Sequence, residues 1–233
     1  MRIAIIGAMV SEVELLRERI EGRTTSDHAG KEFYTGTLGG ADVVLTACGV
    51  GKVAAASRTQ AMIDVFSPDR IIFTGIAGAL DPRIEIGDIV VSTDCVQSDV
   101  NVGVFDYPLG LVPGFDKVGF DADPAMRRLA VEAIHAAAPS TKVYEGRVAT
   151  CDQFVNGVVQ RDFIVLEFEA ICCEMEGAAV AQVAVQCGIP FVVIRAISDK
   201  ANDDSAVDYP AFEVIASHQG ADVVCEMCRR LAS

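Results

Sequence analysis

The sequence predicts an α/β fold in which helices cover both faces of a central sheet, and three observations predict it. Apolar β-branched runs alternate with segments of helical period from one end of the chain to the other. The run PFVVIRAIS from Pro190 is apolar on both faces, as a central strand covered on each side must be. The 233 residues are 51% hydrophobic and 22% charged, with no low-complexity tract. That composition is expected of one ordered domain spanning residues 1–233, without linker or internal repeat.

The elements follow in order. RIAIIGA from Arg2 reads as a first strand and SEVELLRERI from Ser11 as a helix, with Ser11 and Glu14 in capping-box spacing. Strands are expected around Phe33 and Val43, then a helix from Lys52. RIIFTG from Arg70 and DIVVS from Asp88 read as strands. The stretch from Gln97 to Pro124 holds Gly, Pro and aromatics without periodicity, a long loop of the kind that carries function or meets a partner. AMRRLAVEAIHAA from Ala125 reads as a helix, VYEGRVAT from Val143 and AICCEME from Ala170 as strands, and GAAVAQVAVQCG from Gly177 as a helix. PFVVIRAIS is the last strand, and a final helix is expected from Tyr209.

Charge narrows the partners. Lys and Arg number 19 against 33 Asp and Glu, a formal net charge of -14 that repels nucleic-acid phosphates and anionic membranes alike. No apolar run reaches the ~18 residues of a membrane span, and the N-terminus reads as a strand rather than a signal peptide, so a cytoplasmic protein is expected. The eight cysteines are scattered through apolar runs, as reduced core thiols are. Cys225 and Cys228 have C-x-x-C spacing within a helical pattern, with no second pair and no histidine cluster, so neither zinc nor redox chemistry is expected. His28, His135 and His218 are isolated. No metal or organic cofactor is expected.

Two glycine-rich segments fail the tests for familiar motifs. GVGKVAAA from Gly49 has Val53 where a phosphate loop needs Ser or Thr, and Thr46 where its first Gly belongs. FTGIAGAL has Phe73 at the first glycine of a dinucleotide fingerprint, which leaves Gly75 and Gly78 to permit close approach at a strand end.

Ligands of open α/β sheets bind beyond the carboxyl ends of the strands, and three acids stand there: Glu12, Glu176 and Asp199. Each alone has a bland reading, as a first-turn acid or a turn residue. The three together do not, because Arg195 is embedded in the apolar strand before Asp199 and requires an acidic neighbour or water.

The motifs IIGAM-x-x-E ending at Glu12, GVGKVAAA, TGIAGAL, GDIVVS from Gly87, CDQFVNG from Cys151, CEMEGAAVA from Cys173 and PFVVIRAISD ending at Asp199 together span nearly the whole chain. In them the chain resembles the 5′-methylthioadenosine/S-adenosylhomocysteine nucleosidases of the purine nucleoside phosphorylase superfamily. The resemblance implies a three-layer αβα sandwich around a twisted mixed sheet, a cytoplasmic homodimer, and hydrolysis of adenine nucleosides to free adenine and a 5′-substituted ribose. It implies that Asp199 donates a proton to adenine N7, that Glu12 activates water as general base, and that Glu176 accepts hydrogen bonds from the ribose hydroxyls. Ser198 would orient Asp199, and Arg195 would help hold Glu12 and water. Phe154 would stack on the purine, Val155 would read its edge through backbone groups, Met175 would lie under the ribose, and Tyr209 would flank the 5′-substituent. Val102, Phe105, Tyr107 and Pro113 would reach the 5′-pocket of the neighbouring subunit.

Those roles suit the chemistry. Cleavage creates an oxocarbenium-like sugar and a poor anionic leaving group, so an acid is needed on the base side and an activated water on the other. Two departures stand out: Ile76 occupies a position where such nucleosidases usually have Ser, and Asn101-Val102-Gly103 replaces their usual D-V-T. The rival readings are a phosphate-dependent phosphorylase, an aminodeoxyfutalosine-preferring nucleosidase, and a nucleoside-binding module without turnover.

Overall fold

The computed structural model describes residues 1–28, 30–202 and 205–232, with the side chains of residues 206–211, 213 and 214 left out of the description. The chain runs β1 (Arg2–Gly7), α1 (Val10–Arg19), β2 (Glu21–His28), β3 (Lys31–Leu38), β4 (Ala41–Ala47), α2 (Lys52–Phe66), β5 (Arg70–Ala79) and β6 (Ile89–Gln97). After a 3-10 turn at Gly103–Phe105 come β7 (Phe120–Asp121), α3 (Pro124–Ala137), β8 (Val143–Thr150), α4 (Val158–Phe168), β9 (Cys172–Glu174), α5 (Gly177–Gln186), β10 (Phe191–Asp199) and α6 (Ser205–Ala232).

The strands form one mixed sheet in the order β10-β6-β8-β9-β5-β1-β4-β3-β2, with β7 alongside β6. The sheet is mixed, as the resemblance implies: β10 with β6, β5 with β9, and the β2–β3–β4 meander all pair antiparallel. β10 also pairs with β5, so β10, β6, β8, β9 and β5 close on themselves. The strand ends that carry the acids therefore turn toward one another.

Alternation along β1 and β10 builds the three layers. Ala4, Ile6, Phe73 and Val193 pack in one cluster with Ala55 and Met62 of α2 and Ala178–Ala181 of α5. Ile3, Ile5, Ile72, Val192 and Ile194 pack in the other with Leu16 of α1, Ala130 of α3 and Val224 of α6. Each such aliphatic side chain, removed from water, contributes about 1.5–3 kcal/mol. α3 starts where Asp123 accepts a hydrogen bond from Met126 N at 2.8 Å and Pro124 takes the first helical position.

Several boundaries differ from expectation. α1 begins at Val10, so Ser11 and Glu14 do not form its capping box; Glu12 occupies the third helical position instead. β9 ends at Glu174 and Glu176 is the N-cap of α5, while Asp199 is the last residue of β10 rather than the one after it. The last helix begins at Ser205, not Tyr209. β2, the edge strand EGRTTSDH, is polar and exposed along most of its length and gives no apolar alternation to read. α4 is a helix apolar on more than one face, on which Ile164 and Phe168 are buried while Val159 and Leu166 are exposed. No helix of the described residues is long and apolar enough to cross a membrane. All eight cysteines are free, with Cys228 buried and Cys225 half-buried on α6.

Candidate active site

The turn between β1 and α1 brings Glu12 back over its own helix start. Its carboxylate accepts from Ala8 N at 2.6 Å, Met9 N at 2.8 Å and, across the sheet, Ile76 N at 3.1 Å. Burial pushes its pKa up, while Arg195 and these three N–H groups pull it back down. Gly75 makes the approach possible. A Cβ there would lie 2.6 Å from Glu12 Oε1 and 2.6 Å from Arg195 Nη1, so the bare backbone lets acid and guanidinium face each other.

Gly78 serves Asp199 in the same way, since a Cβ on it would sit 2.8 Å from Asp199 Oδ1. Asp199 is buried, and both its oxygens are engaged: Oδ1 accepts from Ala201 N at 2.8 Å and Oδ2 from the Ser198 hydroxyl at 2.9 Å. The strand-end glycines thus do what their failure as a nucleotide fingerprint left for them.

Glu176 Oε1 accepts from Gly51 N at 2.7 Å, and the next amide, Lys52 N, donates to Asp152 Oδ1 at 2.8 Å. The GVGK segment therefore binds two of the protein's own carboxylates at the start of α2, which is how helix N-terminal amides are satisfied. Gly51 has φ +93°, and a Cβ on it would lie 3.0 Å from Asp152 Oδ1. Burial and the nearby charge of Glu174 push Glu176 up to about 8.

Arg195 is 1% exposed and lies beneath these groups. Its Nη2 pairs with Glu174 at 2.5 Å, its guanidinium sits 4.0 Å from the centre of the Phe73 ring, and its Nε has no hydrogen-bond partner among the described residues. Burial opposes its charge, and Glu174, Glu12 and Glu176 outweigh that opposition. The acidic neighbour that the sequence demands for Arg195 is Glu174, with Glu12 facing it across Gly75.

A cavity of about 370 Å³ collects Glu12, Ile76, Phe154, Val155, Met175, Glu176, Ser198 and Asp199 on its walls. Phe154 stands at the rim, 43% exposed, and Val155 is buried. Arg195 is not on the wall. Val102, Phe105, Tyr107 and Pro113 are not on it either: Phe105 and Tyr107 are 72% and 41% exposed, and Pro113 is exposed too. The side chain of Tyr209 lies outside the described residues. Glu174, Val50 and Gln153 line the cavity without having been singled out from the sequence. Glu174 had a readable signal, an acid closing an apolar strand inside CEMEGAAVA. Val50 and Gln153 had none.

Among the described residues no three His, Cys, Asp or Glu side chains are grouped to hold a metal ion.

A profile of the phosphorylase superfamily matches residues 2–229. The 5′-methylthioadenosine/S-adenosylhomocysteine nucleosidase of Anoxybacillus flavithermus is 43% identical over 232 residues, 99% of each chain. The chain belongs to this nucleosidase family. Its solved members superpose closely. The nucleosidase of Neisseria meningitidis in complex with methylthio-immucillin-A has a TM-score of 0.95 at 34% identity, covering 98% of this chain and 99% of that one. The nucleosidase of Colwellia psychrerythraea in complex with adenine has a TM-score of 0.94 at 35% identity, covering 98% and 94%.

Proposed function

We infer that the protein hydrolyses the N-glycosidic bond of 5′-methylthioadenosine, S-adenosylhomocysteine and 5′-deoxyadenosine, releasing adenine and the 5′-substituted ribose. The observation that carries this is the meeting of Glu12, Glu176 and Asp199, from three distant segments, on the wall of one cavity. The family of the chain and the adenine and methylthio-immucillin-A in solved relatives support the same reading.

In this reading the purine enters between Phe154 and Asp199, its ring against Phe154 and its edge along the Val155 backbone. Asp199, oriented by Ser198 and Ala201 N, donates a proton to N7 and so makes adenine a neutral leaving group. Glu176 accepts the ribose hydroxyls, and Met175 lies under the sugar. On that side Glu12 takes a proton from water as it attacks the anomeric carbon, held toward the cavity by its three backbone donors. Arg195 fixes Glu12 from beneath.

Phosphorolysis is the weaker reading, because a phosphate nucleophile requires cationic or amide donors around an anion. Among the described residues no Arg or Lys lines the cavity, and apolar Ile76 and acidic Glu12 hold the nucleophile's side of it. We further propose a cytoplasmic homodimer in which Val102, Phe105, Tyr107 and Pro113 complete the 5′-pocket of the neighbouring subunit. The exposure of Phe105, Tyr107 and Pro113 supports it. Incubating the purified protein with 5′-methylthioadenosine, with and without phosphate, tests the reaction. Adenine release at equal rates in both is expected; release strictly dependent on phosphate makes the protein a phosphorylase, and no release leaves a binding module.

A further inference from the structure

Glu174 is the most connected side chain of the site and has no role in the scheme above. Its carboxylate accepts from Arg195 Nη2 at 2.5 Å, Gly177 N at 2.7 Å, Glu176 N at 3.1 Å and the Thr150 hydroxyl, whose oxygen in turn accepts from Ala178 N at 2.8 Å. One carboxylate thereby ends β9, caps the start of α5 where Glu176 is the N-cap, and holds the guanidinium that faces Glu12 across Gly75. Its side chain is 3% exposed, so neither water nor salt screens what it does to these neighbours.

We propose that Glu174 is a positioning residue for the reaction: it takes up the charge of Arg195, so that Arg195 orients Glu12 without quenching it as a base, and it sets the backbone from which Glu176 reaches the ribose. The proposal rests on the hydrolytic reading above. The physical reason is competition. Arg195 is shut away from water with Glu12, Glu174 and Glu176 as its acidic neighbours, and a buried guanidinium left without its partner turns to the next carboxylate. That carboxylate is Glu12. Without Glu174, a close pair would form between Arg195 and Glu12 and draw the base away from its water.

The charged and titratable groups around the pair fix the expected sign. Glu12 faces Arg195 from β10, with Glu176 at the head of α5 and Cys48 beyond β4 nearby. Glu174 faces Arg195 and Glu176, and also Cys95, Cys172 and Cys173, thiols that burial pushes up and so keeps neutral. Removing the negative charge of Glu174 exposes Glu12 to an uncompensated cation and relieves Glu176 of a like charge. Both carboxylates then give up their protons at lower pH.

The test is the pH profile of adenine release by wild type, Glu174→Gln and Glu174→Asp, with folding verified by circular dichroism. Glu174→Gln keeps an oxygen for Gly177 N and loses the charge. It is expected to move the acid limb of kcat/KM down by about one pH unit and to lower kcat at least tenfold, with KM within threefold of wild type. Glu174→Asp keeps the charge and is expected to hold the wild-type limb while kcat falls, because its carboxylate is one methylene short. A folded Glu174→Gln whose limb coincides with wild type overturns the proposal. If Glu174→Gln does not fold, Glu174→Asp decides, and kinetics identical to wild type overturn it. A wild type that releases no adenine overturns the hydrolytic reading itself, and the proposal with it.

Discussion

Glu176 meets two opposing demands: it must present an acceptor to a sugar, and it is 5% exposed beside the buried charge of Glu174. Its folded-state value, pushed up to about 8, means that the native protein binds this proton more tightly than the unfolded chain does. Stability from this group is therefore present below the ordinary carboxylate value and is lost as pH rises through the raised one. Glu176→Gln removes that loss. Melting curves are expected to show the variant and wild type alike at pH 5 and the variant ahead at pH 9, by on the order of 2–4 °C for each kcal/mol recovered, while adenine release falls at least a hundredfold. Equal melting temperatures at pH 9 contradict it. At this scale the site was legible where residue type and strand end coincide, as for Glu12, Glu176 and Asp199. It was not legible where the signal is a partner's need: Arg195 announced an acid, but nothing in spacing alone chose Glu174 over Glu12.

The elements explain why these carboxylates can approach at all. β5 continues past RIIFTG to Ala79, and its glycines face Glu12 with Arg195 at one position and Asp199 at the other. Gly75→Ala places a methyl 2.6 Å from both Glu12 Oε1 and the Arg195 guanidinium that faces it, and neither can move far in a packed interior. The variant is expected to fold, to bind adenine within threefold of wild type, and to lose at least a hundredfold in kcat. A kcat within threefold of wild type means that the approach of Arg195 to Glu12 across Gly75 does not hold the base. The sequence marked these glycines as points of close backbone approach but not what approaches. It missed β2 because an exposed edge strand need not carry apolar residues. It missed α4 because VVQRDFIVLEF has no cap signal at Gly157 and is apolar on more than one face. It drew β9 too long because AICCEME is apolar beyond the three residues that pair.

For the whole molecule, the α/β class and the alternation of elements could be read from periodicity, whereas the curl that pairs β10 with β5 could not. Periodicity tells which face is buried, not which strand lies beside which. The folded chain leaves Val104, Phe105, Val159 and Leu166 at 85%, 72%, 87% and 78% exposure, and α4 meets the long loop where Phe168 packs beside Gly110. Apolar surface of this kind is expected to be covered. Sedimentation at micromolar concentration should give twice the chain mass, and Phe105→Ser should raise KM for 5′-methylthioadenosine several-fold while leaving adenine affinity unchanged. A monomer with full activity contradicts the shared pocket. The most direct measurement is adenine release from 5′-methylthioadenosine by Glu12→Gln and Asp199→Asn, each first shown to bind adenine. The account predicts retained binding with kcat lowered by about 10²–10⁴ in each variant. Turnover within threefold of wild type in either one would contradict it.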